Sequence, residues 1–427
     1  LERNQTLHRL GVVVGLTAGV WLGAAEAPTK LVEVGLSPYA VSLCMVAGVF
    51  LARWTLPTLI KGTSFVANDL ASHKHLVVWA VLAGALWAVA NTLTVFAIRD
   101  VGLVIAFPLW NANSLIGLLW GRVLFHELEG ASASIRTRVL LGACLIVVAA
   151  VLLGFSTMPD LGHGSLLATH HAVGGIAAAL GASLLWGTMY VPYRKAYLSG
   201  MNPLSFVTVF TFGELATAFA LAATLGGGMH AIATQLRHSQ GVLFWLCLGG
   251  FVWVVGDLFQ QFAAKYLGIG RGIPLSNTNQ LWGLAWGALV FGELHHATPA
   301  QKALVLAGSG VMIAGAILIG TAPSQELEAE ARDRAIEREC DRYGLSLAGT
   351  QHSAHSPVAA GAPSTQRRRW WDYVIVLLAC SVFVYLGLHA AAPLLVLHLG
   401  WMTALCSVLA GSVLFGGWRL WRVTRFV

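Results

Sequence analysis

Residues 87–128 read WAVANTLTVFAIRDVGLVIAFPLWNANSLIGLLWGRVLFHEL, and residues 253–294 read WVVGDLFQQFAAKYLGIGRGIPLSNTNQLWGLAWGALVFGEL. The two stretches align without a gap at an offset of 166 residues. Identical pairs include Trp87 and Trp253, Phe96 and Phe262, Gly102 and Gly268, and Pro108 and Pro274. They continue through Asn111 and Asn277, Asn113 and Asn279, Gly117 and Gly283, Trp120 and Trp286, Gly121 and Gly287, Phe125 and Phe291, and Glu127 and Glu293, and the match runs on to Gly154 and Gly320. Apolar composition alone does not hold Pro, Asn, Trp and Glu in one register. A looser echo precedes each block: Trp21, Pro28, Lys30 and the GLSP at 35–38 correspond to Trp186, Pro192, Arg194 and the GMNP at 200–203.

The chain around this repeat is built for lipid. Of its 427 residues, 57% are hydrophobic and 11% charged, and the mean hydropathy is +0.71. Soluble domains carry about twice that share of charge, so a water-soluble globule, a disordered chain and a disulfide scaffold are excluded. Runs of the roughly 20 residues that cross a bilayer fall near 10–27, 37–56, 76–98, 101–125, 137–156, 172–193, 203–226, 242–264, 267–291 and 301–321, with two more near 373–392 and 395–417. The formal charge of +7 sits in the segments between these runs and does not point to nucleic acid. Cys44, Cys144, Cys247, Cys380 and Cys406 lie in apolar segments, Cys340 lies outside them, and no spacing suggests disulfides or zinc. The chain starts at Leu1, and its first apolar run reads as an anchor leading into further spans, not a cleaved leader.

Lys and Arg set the expected orientation. Counted as loop charges on alternate sides of the first ten spans, Arg3, Arg9, Arg53, Lys61, Lys74, Arg136, Arg138, Arg194, Lys195 and Lys265 fall on one side. Lys30, Arg99, Arg237 and Lys302 fall on the other. The richer side is expected to be cytoplasmic, with both termini inside and the chain in a bacterial-type inner (plasma) membrane. Trp370, Trp371, Trp418 and Trp421 flank the last two spans as interface anchors.

Between spans ten and eleven lies a polar insert, 322–372, expected on the cytoplasmic side. Residues 325–343 alternate acid and base and predict a short charged helix, while 346–366, rich in Ser, Ala, Gly, Pro and His, reads as flexible linker and passive tether. The expected domains are therefore a first five-span repeat at 1–156, a second at 172–321, the insert at 322–372, and two extra spans at 373–418. Five is odd, so the second repeat crosses in the opposite sense. The fold class is an all-α polytopic membrane protein built on a ten-helix inverted repeat plus two C-terminal helices. Inverted repeats place substrate between their halves near the midplane in many secondary transporters. Duplication without transport is the alternative.

The doubled block and WGTMYVPYRKAY at 186–197 resemble the drug/metabolite transporter superfamily, closest to its glucose/ribose porter branch, with rhamnose–proton symporters more distant. The resemblance covers the first ten spans. It implies ten helices around a central cavity and uptake of a sugar or similar metabolite driven by a proton or sodium gradient. It says nothing of the insert or the last two spans.

Three carboxylates fall within or at the ends of apolar runs: Asp257, Glu214 and Glu26. Intramembrane acids usually face a cavity or a partner and mark ion paths. Asp257 leads, because it is well inside span eight and its repeat mate is the neutral Asn91. Glu214 is second, and Glu26 has an i,i+4 ion pair with Lys30 as its structural alternative. Pro108 and Pro274 are expected hinges, disrupting spans four and nine near the carbonyl four residues earlier.

Asn111 and Asn277 share the face of those prolines, whereas Asn113 and Asn279 point nearly opposite unless the helix is broken. Asn111, Asn113, Asn277, Asn279, Gln260, Gln261 and Gln280 are candidate partners for sugar hydroxyls, with interhelical bonding as the alternative. Trp110, Trp186 and Tyr190 are candidate stacking faces, joined more weakly by Trp21 and Tyr193. Arg271 is expected to pair with Asp257 or to meet a substrate anion, and Glu127 and Glu293 read as structural helix ends. Glycines at 11, 15, 19 and 23, with Gly117/Gly121 and Gly283/Gly287, predict close helix packing.

The adjacent histidine pairs His170–His171 and His295–His296 make no metal site, the GIGRG at 268–272 follows no strand and is no phosphate loop, and no cofactor is expected. An exporter of amino acids or drug-like metabolites, and a membrane enzyme or sensor, remain competing readings. No cluster of His, Asp and Glu at catalytic spacing favours an enzyme. The sequence leaves the identity of the sugar, the ion and the oligomeric state open.

Overall fold

The structure is a computed structural model describing residues 2–29, 36–156, 166–292, 298–322, 326–348, 368–391 and 397–426. The chain runs through α1 (Glu2–Ala24), the one-turn α2 (Glu26–Thr29), α3 (Pro38–Ile60), α4 (Thr63–Ser72), α5 (Val77–Trp110), α6 (Asn113–Phe125) and α7 (Ala133–Ser156). It continues through α8 (Leu166–Leu198), α9 (Pro203–Leu225), α10 (Gly228–His238), α11 (Gln240–Leu267), α12 (Ile269–Ser276), α13 (Asn279–Ala285) with a π-helical turn at Trp286–Val290, and α14 (Pro299–Gly320). The remaining helices are α15 (Glu326–Tyr343), α16 (Trp370–Leu388) and α17 (Leu399–Thr424). Ten of the described helices are long and apolar enough to cross a membrane. The protein is an all-α polytopic membrane protein, as its composition requires.

The loosely repeated GLSP and GMNP motifs do the same work. Ser37 caps α3 by accepting from the Ala40 N–H with Pro38 at the first helical position, and Asn202 caps α9 by accepting from Leu204 with Pro203 in that place. A proline there gives up no needed donor.

Spans four and nine are broken helices, and the breaks match. Chain turns at 111–112 and 277–278 separate α5 from α6 and α12 from α13. Each break falls three residues after its proline, not four before it as expected. Pro274 sits inside the eight-residue α12, and the helix ends where Asn277 turns its side chain across to the other broken span. α5 also folds back on itself. Leu93 lies beside Gly181 and Asp100 beside Gly174, an antiparallel course along α8. A straight helix would carry Trp110 past the start of α8, yet the Trp110 ring packs edge-on to Trp186 at 6.0 Å. The chain therefore reverses between residues 100 and 110, beyond the membrane-length apolar stretch Lys74–Asp100.

Packing repeats with the sequence. α5 lies on α8 as α1 lies on α11, and α7 pairs with α14. A methyl at Gly84 would collide with the Phe210 carbonyl, and one at Gly213 with the Val81 carbonyl, at the α5–α9 crossing. A methyl at Gly250 would collide with the Met45 carbonyl, and one at Gly48 with the Cys247 carbonyl, at α11–α3. Both crossings are backbone-to-backbone, which only glycine permits. The expected Gly-to-Gly spacing in span one is used similarly: Gly19 and Gly23 sit against the backbone at Ser276 and Asn279.

The last two helices clasp the core from outside. α16 packs on α3, where Arg368 donates to the terminal carbonyls of Thr58, Leu59 and Ile60, a cation at a helix C-terminus. α17 packs on α1, where Trp21 Nε1 donates to Leu409 O and Ser412 Oγ, each at 3.2 Å. Trp21 is thereby spoken for by α17 instead of a substrate face.

Four cations counted as loop charges are in fact helical and buried: Arg53, Arg194, Lys195 and Lys265. The helices α3, α8 and α11 outrun their apolar cores, because no breaker stops them at the first charge. The charged helix of the insert forms at Glu326–Tyr343 and packs on the bundle, while most of the expected linker lies outside the described residues.

Candidate functional site

Arg53 on α3 is fully buried at the centre of the bundle. Its Nη2 donates to Asp257 Oδ2 on α11 at 2.8 Å, and its Nε stands 3.8 Å from Glu214 Oε2 on α9. The guanidinium lies over the rings of Phe210 at 4.3 Å and Trp253 at 5.3 Å, where a flat cation is attracted by the π-face. Gln261 Nε2 donates to the same Asp257 oxygen at 2.6 Å, and Tyr197 donates its hydroxyl proton to Gln261 Oε1. Two carboxylates thus share one guanidinium. Among the described residues Asp257 Oδ1 and both oxygens of Glu214 have no hydrogen-bond partner. A buried acid in that condition is costly while ionised. The cation beside Asp257 is Arg53; the expected partner, Arg271, is buried on α12 within electrostatic reach of His8.

The repeat mate of Asp257 behaves differently. Asn91 Nδ2 donates to Ser42 Oγ at 2.9 Å, and Ser42 shares a 3.0 Å hydrogen bond with Thr92. This corner is neutral and satisfied.

A second polar network joins the two broken spans. Asn111 Nδ2 donates to Gln280 Oε1 at 2.9 Å, and Asn277 Nδ2 donates to Asn113 Oδ1 at 2.9 Å and to the Asn111 carbonyl at 3.1 Å. Gln280 Nε2 donates onward to the Ala150 carbonyl at 3.0 Å, and Gln260 Nε2 to Ser276 Oγ at 2.6 Å. Tyr190 is hydrogen-bonded to Gln260. The break after Trp110 lets both Asn111 and Asn113 turn inward, so the opposed faces of an ideal helix do not apply to that pair. Asn279 is half-buried, with Oδ1 unpartnered among the described residues. Gln260 and Gln261 are adjacent on α11 and face different networks, so this helix connects the amide cluster to the charge cluster. The side chains of Glu26 and Pro108, and all of Lys30 and Glu293, lie outside the described residues, as do the side chains of His170 and His171 and all of His295 and His296.

At one end of the bundle Glu127 does more than end a helix. Its carboxylate accepts from the Ile269 N–H at 3.0 Å and the Gly270 N–H at 2.8 Å, capping α12 where Gly268 turns at φ +83°. Arg194 Nε stands 3.0 Å from the same carboxylate, and its Nη1 donates to the carbonyls of Ala264 and Lys265 at 3.3 Å. The acid satisfies an N-terminus and the base a C-terminus, each complementing a helix dipole.

Sequence reasoning missed Arg53. The available signal was a lone guanidinium inside LARWTLPTLI, an apolar stretch with acids in two other spans to match it.

A family model described as "Sugar transport protein" matches residues 177–338, from α8 into α15. A Streptococcus agalactiae serotype V protein, named provisionally for sugar uptake, is 24% identical over 248 residues, 58% of this chain and 79% of its own. A similarly named Listeria innocua protein is 22% identical over 242 residues, 56% of this chain and 77% of its own. A crystal structure aligns at a TM-score of 0.48 and 16% identity over 72% of this chain and 95% of that chain, too loose a likeness to argue from.

Proposed function

We propose that this protein is a secondary transporter that takes up a sugar or a related polyhydroxylated metabolite by alternating access, coupled to a proton. Its moving parts are the repeats at 1–156 and 172–321, inverted with respect to each other, in a bacterial-type inner membrane with both termini cytoplasmic. The matched backbone crossings and matched helix breaks support that arrangement. The similarity to proteins named for sugar uptake supports the substrate class.

The observation that carries the reading is the paired network at the centre. Amides bonded to one another across two broken spans can exchange those bonds for sugar hydroxyls at little net cost, because an internal hydrogen bond contributes only about 1 kcal/mol over its alternatives. Asn111, Asn113, Asn277, Asn279, Gln280 and Gln260 supply those groups, with Trp110, Trp186 and Tyr190 as apolar faces. The turns at 111–112 and 277–278, beside Pro108 and Pro274, are the hinges. Asp257 and Glu214, with a single guanidinium between them, supply the coupling site, and Gln261 ties it to the sugar site; Glu26 is a third coupling candidate.

Purified protein in liposomes, offered labelled monosaccharides with and without an inward proton or sodium gradient, tests this. Accumulation of one sugar driven by the proton gradient is expected. Equal uptake with and without any gradient would remove coupling, and no sugar flux at all would remove the function.

A further inference from the structure

Arg194 and Lys195 are neighbours at the end of α8, and both make ion pairs at the same end of the bundle. Arg194 reaches Glu127 at 3.0 Å, and through it joins α8 to α6 and to the start of α12. Lys195 Nζ lies 3.0 Å from Glu339 Oε2 on α15 and sits over the rings of Trp79 at 5.0 Å and Tyr343 at 5.1 Å. The Tyr343 ring in turn packs on His75 at 4.4 Å, beside the start of α5.

The seat of α15 is apolar as well as ionic. Ala335, Ile336 and Cys340 are buried in the cluster that also holds Tyr197, Leu198 and Ile269. Arg334, Glu337, Arg338 and Asp341 face outward. Glu339 is buried with them, a position an acid holds only with a partner.

The chain connectivity gives this docking a mechanical consequence. α15 follows α14 after only residues 321–325, and the last carbonyl of α14, Gly320 O, is held by His8 Nε2 of α1 at 3.3 Å. α15 is therefore tied covalently to the α14–α1 side of the bundle and by Lys195–Glu339 and Tyr343–His75 to the α8–α5 side. It lies at the same end of the bundle as the Arg194–Glu127 ion pair.

We propose that α15 is a strap on a gate at this end: docked, it holds the end of α8 against α6 and α12 and keeps this end of the path shut, and its release precedes opening there. The inference rests on the transporter reading for the word path, and the docking itself does not.

Cys340 offers a native probe, because it is a buried thiol in the docking face. In full-length protein with Cys44, Cys144, Cys247, Cys380 and Cys406 replaced by alanine, maleimide labelling of Cys340 reports release, and sugar exchange in liposomes reports gating. Glu339→Gln is expected to raise the labelling rate at least tenfold and to speed exchange, and the swapped pair Lys195→Glu with Glu339→Lys to return both toward the parent. Should Glu339→Gln not fold, Tyr343→Ala stands in, with the same expectation. Unchanged labelling would overturn the docking role of the pair, and faster labelling with unchanged exchange would overturn the strap. Labelling that responds as expected in a protein that exchanges no sugar would leave the docking standing and sink the transport reading instead.

Discussion

The indole rings of Trp87 and Trp253 lie 4.7 Å apart at the core of the bundle, although 166 residues separate them. They occupy the same column of the repeated block, so the two copies meet at their own corresponding residue. Around that contact the frame is symmetric and the charge is not. Arg53 lies over Trp253, and the counterparts of Arg53, Glu214 and Asp257 under the repeat are Ala218, Val49 and Asn91.

The cluster predicts unequal costs for its two acids. Asp257 accepts from both Arg53 and Gln261, whereas Glu214 accepts from neither. Asp257→Asn takes away the one carboxylate hydrogen-bonded to Arg53, leaving the buried guanidinium only Glu214 at 3.8 Å, and is expected to cost about 3–5 kcal/mol of stability, the usual penalty for breaking a buried pair from one side. Glu214→Gln is expected to cost under about 1 kcal/mol and still to abolish gradient-driven accumulation while sparing sugar exchange. Thermal unfolding in detergent and paired accumulation and exchange assays check both. A Glu214→Gln protein that accumulates sugar as the parent does would take Glu214 out of the coupling.

The amide network predicts a substrate effect that is local. Asn277→Ala removes the donor shared by Asn113 Oδ1 and the Asn111 carbonyl; the carbonyl keeps Ser114 as a donor, and the buried Asn113 Oδ1 is left unpaired. A loss of about 1–3 kcal/mol in stability follows, together with a rise of about tenfold in KM for the sugar. Leu275→Ile, two residues earlier on α12 and buried in an apolar cluster with Leu118 and Leu267, is expected to leave KM unchanged. Equal KM shifts in the two variants would mean that the network only holds helices together.

The matched glycine crossings predict matched damage. Gly84→Ala and Gly250→Ala each drive a methyl into a carbonyl of the crossing helix, at Phe210 and Met45 respectively. Each is expected to lower stability by about 1–3 kcal/mol, the range for overpacking. Gly400→Ala, with open space around it on α17, is the control and should be neutral or better. Strongly unequal losses for the first two, measured by thermal unfolding, would show that the two crossings are not equivalent supports.

Much of this architecture could be read in the sequence, and the unread part has one physical origin. The doubled block carried register information that apolar runs lack, which is why the pairing of Asn111 with Asn277 and of Pro108 with Pro274 was legible, while the breaks, expected four residues before each proline, fall three after it. Orientation of individual side chains was not legible, because an ideal helix separates Asn111 from Asn113 by about 200°, and only the chain turn after residue 110 brings both inward. Arg53 was counted among the loop charges although it falls inside the run at 37–56, because a count of Lys and Arg by side does not separate a buried cation from a flanking one; α3 continues past it to Ile60. The partner of Lys195 could not be read at all, since an ion pair to Glu339 spans 144 positions and no repeat connects them.

His73, between α4 and α5, gives a prediction in pH. Burial works against its charged form, but the hydrogen bond and charge of Asp69, 3.0 Å away, together with backbone acceptors at Asp69 and Ser199, outweigh it and hold the imidazole above its ordinary range. Asp69 also accepts from the Asn202 N–H at 3.1 Å, so the pair fastens the start of α9 to α4. A group whose folded value is raised gives its full stabilisation below its unfolded value and loses it as pH rises through the folded one. The His73 contribution is therefore expected to be complete below about pH 6 and to fade on the alkaline side of the ordinary histidine range. His73→Gln should flatten that part of the stability-against-pH curve, and Asp69→Asn should move the fade toward lower pH. Parallel curves for His73→Gln and the parent, followed by thermal unfolding between pH 5 and 8.5, would show that this pair contributes nothing that depends on the proton.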